Sequence, residues 1–95
     1  MSFTMKDQVE TFFVHNLGNG RQIATIVLNG YNIVATNLLG QKGAMRSFKM
    51  VKGDLWEQWS NQSSLLIRAQ TGQEAKIRIA ALPTDDESAG LVEFL

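Results

Sequence analysis

The sequence predicts a small, mainly β domain opened by an N-terminal α-helix. Three observations predict it. β-branched and apolar runs recur at short intervals, at 23–28, 31–35, 44–51, 65–69, 75–82 and 91–95. Turn residues separate them, at Asn29-Gly30, Lys52-Gly53-Asp54 and Thr71-Gly72-Gln73. Sustained helical spacing of apolar residues is confined to the chain before Gly20. With 95 residues the chain is read as one domain, with a core too modest to enclose a large substrate cavity.

Taken in order, Met5, Val9, Phe12, Phe13 and Leu17 fall on one face of a helix over 4–17, opposite Lys6, Asp7, Gln8 and Glu10, with Thr4 and Asp7 as its capping pair. Residues Asn16 to Gly20 end it, because Gly and Asn accept a left-handed conformation. The run from Ile23 to Leu28 is apolar on both faces and asks for a cover beyond the core, which this helix supplies. Asn29-Gly30 reads as a type I′ turn into a strand over 31–35 that continues through Leu39. Residues 44–51 form a further extended segment. Leu55, Trp56 and Trp59 then suggest one or two helical turns with Asp54 as N-cap. A second hairpin joins 65–69 to 75–82, with Ile77 and Ile79 on one face and Lys76, Arg78 and Ala80 on the other. Pro83 stops it, and after a polar stretch Leu91 to Leu95 makes a last short strand or the end of an acidic tail over 83–95.

Formal charge sums to zero but is unevenly spread. From Arg21 to Arg78 there are eight basic residues against Asp54, Glu57 and Glu74, whereas Asp85, Asp86, Glu87 and Glu93 follow with nothing basic. The most basic piece is Lys42, Arg46, Lys49 and Lys52 with Phe48 among them, a composition that can pair phosphates and stack bases, and equally that of a solvated hairpin arm. No cysteine is present, which excludes disulfides and thiolate metal sites. No apolar run has transmembrane length and Ser2 to Glu10 is too polar for a signal peptide, so the expectation is a soluble, cytoplasmic protein with no membrane partner. Enzyme chemistry finds little support. His15 is the lone histidine, no nucleophile–base pair is visible, Gly18-Asn19-Gly20 lacks the setting of a phosphate loop, and no cofactor or metal site is expected.

The stretch Ile26 to Ala35, with its Asn-Gly turn, and the pair Ser64 to Gly72 and Lys76 to Leu82 resemble the two signature hairpins of Sm-like proteins, the bacterial Hfq branch in particular. Ala35 stands where that family has glycine. Ile77, Arg78 and Ile79 fall where it has Tyr-Lys-His or Ile-Arg-Gly, so only the Arg matches. The resemblance, to a divergent and phage-borne member, implies a strongly bent five-stranded antiparallel barrel or sheet, with 42–60 as an insertion between strands 2 and 3. It implies rings of about five to seven subunits joined through open strand edges, and single-stranded RNA bound without chemistry. Carried over by position, Arg78 and Asn61 or Gln62 would meet RNA at the pore. Lys76, Arg46 and Lys49 add charge, and Tyr31 and Asn32 remain usable on the opposite face. Two other readings stay open: an OB-like module for single-stranded DNA with a partner-recruiting acidic tail, and a structural scaffold of viral type.

Overall fold

The computed structural model describes residues 10–28, 42–85 and 87–95. They form six strands and one short helix: β1 (Glu10–Asn16), β2 (Gln22–Leu28), β3 (Met45–Gly53), α1 (Trp56–Asn61), β4 (Leu65–Ala69), β5 (Glu74–Ala81) and β6 (Gly90–Phe94). The strands close into an antiparallel barrel in the order β1-β2-β3-β6-β5-β4. It consists of two three-stranded meanders, β1–β2–β3 and β4–β5–β6. They join along two seams, β1 with β4 and β3 with β6.

Alternation builds the core. Phe12 and Val14 from β1, Ala24, Ile26 and Leu28 from β2, Leu65, Ile67 and Ala69 from β4, Ile77 and Ile79 from β5, and Val92 and Phe94 from β6 are all buried. Along these strands inward residues alternate with outward ones, and β3, bulged opposite Thr25 and Ile26, adds Phe48, so a barrel this small is filled by side chains. Two glycines make the close approaches possible. Gly53 ends β3 at φ +96°, where a Cβ would lie 2.4 Å from the carbonyl oxygen of Ile23. Gly90 is the register partner of Phe48. A Cβ there would stand 2.6 Å from the Phe48 ring, so the missing side chain is the space the ring fills.

The largest departure from the sequence reading concerns the N-terminal helix. Residues 10–16 are a strand. Phe12 and Val14 are buried while Thr11, Phe13 and His15 between them are half-buried and face outward, a period of two. β-branched and aromatic types fill this segment, and β2 and β4 pair with it on its two sides, so its peptide groups are satisfied by neighbours. Asn16 to Gly20 is accordingly a hairpin turn, closed by the Asn16 N–H donating to the Arg21 carbonyl at 2.9 Å. The expected helical residues 4–9 lie outside the described residues.

A second correction follows from β3. Residues 42–60, expected as an insertion, contain a full barrel strand, β3, and most of α1, so that with β1 two of the six described strands were not expected as barrel strands. β2 has β1 on one side and β3 on the other from Ala24 to Leu28. The Asn29-Gly30 turn and the strand expected at 31–35 lie outside the described residues. The expected open edges are absent from the described strands, each of which has two neighbours. The helical turn after Lys52-Gly53-Asp54 is present. Its cap position is Leu55, and the Asp54 carboxylate accepts the Trp56 N–H at 2.9 Å. The β4–β5 hairpin and the last strand stand where the sequence puts them.

Candidate nucleic-acid interface

Because successive strands are in register, outward residues of neighbouring strands form rows across the barrel wall. One row runs Lys52, Thr25, Phe13, Arg68. Lys52 pairs with Thr25, Thr25 with Phe13, and Phe13 with Arg68. At the ordinary strand spacing the row spans roughly 14 Å from β3 to β4. Lys52 and Arg68 are exposed and Phe13 is half-buried, next to Arg68 on one side and separated from Lys52 by Thr25 on the other. A parallel row sets Lys49 beside Val27 and Thr11. A third sets His15 beside Leu66 and Leu66 beside Lys76. Among the described residues the acidic side chain in register with these rows is Glu74, whose Oε2 accepts from Arg68 Nε at 2.7 Å. That ion pair compensates the Arg68 charge on the wall, as Glu93 does for Arg78, and leaves Lys49, Lys52 and Lys76 as the wall's other cations.

The residues singled out in the sequence are distributed unevenly over this wall. Lys49 and Lys76 belong to it, on β3 and β5. Arg46 is exposed on β3, level with Val92 of β6, near the start of the strand. Arg78 faces outward from β5 and forms an ion pair with its register partner Glu93, so its charge is compensated within the barrel. Gln62 terminates α1 in the left-handed conformation at φ 53°. Its side-chain amide donates to the carbonyls of Trp59 at 2.7 Å and Ile79 at 3.3 Å, which ties the helix to β5. Asn61 is exposed beside it. Tyr31 and Asn32 lie outside the described residues.

Residues 42–53 thus contribute through Lys49 and Lys52 on the wall, while Phe48, expected to interleave with them, is fully buried inside the barrel. The aromatic side chain on the wall is Phe13, which the helical reading had placed on the buried face. Reading the Thr11 to His15 stretch at a period of two would have found it. Among the described residues no three of His, Asp and Glu gather as a group able to hold a metal ion. No described helix is long and apolar enough to cross a membrane. Compared with family models, curated proteins and solved structures, the chain matches none of them.

Proposed function

We propose that this barrel is a non-catalytic binder of single-stranded RNA that uses the outer wall of β1 to β5. The observation that carries the reading is the row Lys52, Thr25, Phe13, Arg68, a half-buried ring in line with an exposed lysine and a Glu74-paired arginine, with Lys49 and Lys76 in the adjoining rows. A base stacks on such a ring while the flanking phosphates pair with the cations, and neither contact needs a particular base. A net charge of zero does not oppose this, because the acidic residues are concentrated elsewhere in the chain. Ring assembly of five to seven subunits, which the Sm-like resemblance implies, would need contacts other than strand pairing, since each described strand already has two partners.

The test is fluorescence anisotropy of a labelled fifteen-nucleotide RNA, with the DNA of the same sequence and an RNA duplex as comparisons. Saturable RNA binding should weaken as salt rises, with a logarithmic slope of about −0.7 for each phosphate neutralised. No anisotropy change at low salt overturns the proposal, and preference for the duplex removes the stacking argument. A second reading, an OB-like module for single-stranded DNA, has one observation of its own. Lys49 and Lys52 stand on β3 beside β2, the pair of strands that OB barrels use to bind their ligands. Tighter binding to the DNA strand would favour it.

A further inference from the structure

A different surface lies at one end of the barrel, where α1, the ends of β3 and β5, and residues 82–85 and 88 converge. Two adjoining cavities open there, of about 460 and 510 Å³, and they share Trp56, Leu82, Pro83 and Thr84. Trp56 is 60% exposed and borders both. Its exposure is not that of a loose helix. The first turn is tied by Asp54 to the Trp56 N–H, and the last by Gln62 to β5. The Trp59 ring braces it, with centroids 5.1 Å apart and planes tilted by 48°. A large apolar ring held this firmly in solvent has the character of a binding anchor.

The two cavities differ in polarity. Trp59, Ala80 and Ala81 complete the second, which is apolar and aromatic. The first adds Met50 and Leu55 together with two carboxylates, Asp54 and Asp85, and no basic residue lines either. Each carboxylate uses Oδ1 for a local turn, accepting from Trp56 N–H and Glu87 N–H at 2.9 Å. No described residue partners the second oxygen of either. A polyanion is repelled here, so this is not part of the RNA wall. The two rings touch, leaving no gap for a cation to be caged between them. What fits is a ligand with a cation for one cavity and a rigid apolar group for the other, long enough to pass Trp56. Extended proline-rich segments meet that description, because they lose little entropy when they dock on aromatic grooves.

We propose that this groove docks an extended, proline-containing peptide segment of a partner protein, its Arg or Lys held by Asp54 and Asp85 and its apolar residues packed against Trp56 and Trp59. Trp56 and Trp59 are the only tryptophans in the chain, so tryptophan emission, excited apart from Tyr31, reports on this site alone. The probe is the hexapeptide acetyl-Arg-Pro-Pro-Leu-Pro-Arg-amide, titrated into the full chain beside a version with Glu in place of Arg. The expected result is a saturable change in tryptophan emission, with the Glu peptide about tenfold weaker or more. The double variant Asp54→Asn, Asp85→Asn keeps the oxygens that accept the turn N–H groups, and it should bring the two peptides to within about twofold of each other. The proposal is overturned by no change at millimolar peptide, or by equal binding of the two peptides to the unaltered chain. It is also overturned if spermidine or cellohexaose gives the same saturable change, or if light scattering shows a second copy of the chain seated on the groove.

Discussion

The outer wall of β1 to β5 and the groove at the end of the barrel are built on one core and share no residue, yet they have opposite electrostatic character. On the wall, Lys49, Lys52, Arg68 and Lys76 surround Phe13 with Glu74 as the one acidic partner. In the groove, Asp54 and Asp85 border Trp56 with no base in the lining. The difference comes from how each is made. Rows on a sheet collect residues far apart in sequence and set their spacing by strand register. The groove instead gathers the ends of β3 and β5, the start of α1 and the chain that follows β5, where it turns and carboxylates accept from its N–H groups. A molecule neutral in total charge can therefore present two surfaces of opposite local charge.

The strongest way to break the comparison is to remove the core that both regions rest on. Gly90→Val places side-chain atoms where the Phe48 ring and the Ala81 carbonyl already sit. It should cost about 3 kcal/mol or more and, in urea titration, lower the unfolding midpoint with loss of both binding functions. Unchanged stability would mean that Phe48 and Gly90 are not paired. The double substitution Lys49→Glu, Lys52→Glu separates the regions. RNA affinity should fall by well over tenfold and the salt slope shrink by about 1.4, while peptide titration of the tryptophans is unchanged. Equal losses at both surfaces would show that one site had been described as two.

Phe13→Ala sharpens the wall alone. It should remove one stacked base, about 1–3 kcal/mol of RNA binding, and leave the salt slope as it was, since no charge is lost. A slope that changes instead would assign the loss to displaced cations. The smallest effect belongs to Arg78→Ala. Its partly exposed pair with Glu93 should be worth no more than about 1 kcal/mol of stability, and RNA anisotropy should move less than twofold. A loss above tenfold would return Arg78 to the role that the Sm-like resemblance gives it.

The β4–β5 hairpin, the short helix after Asp54 and the last strand were legible in the chain because each is decided locally. Turn residues at Thr71-Gly72-Gln73 and Lys52-Gly53-Asp54 set the reversals, and Ile77 and Ile79 alternate with Lys76 and Arg78. β1 was not legible, because adjacent phenylalanines at 12 and 13 satisfy both the helical and the extended template. The choice rests with the two strands that flank it. With β1 misread, Phe13 was assigned to the interior and the wall lost its central ring.

What the sequence determined by itself is a mainly β chain, the reversals at Lys52-Gly53-Asp54 and Thr71-Gly72-Gln73, and the segregation of basic from acidic residues. Closure was decided only in three dimensions. A strand's peptide groups are satisfied by whichever segment arrives beside them, and nothing within residues 42–60 distinguishes an insertion from the strand that pairs with both β2 and β6. Closure also placed Lys52 and Arg68 on either side of Phe13, although they stand far apart along the chain. It brought Trp56 beside Pro83, giving each surface its neighbours and hence its chemistry.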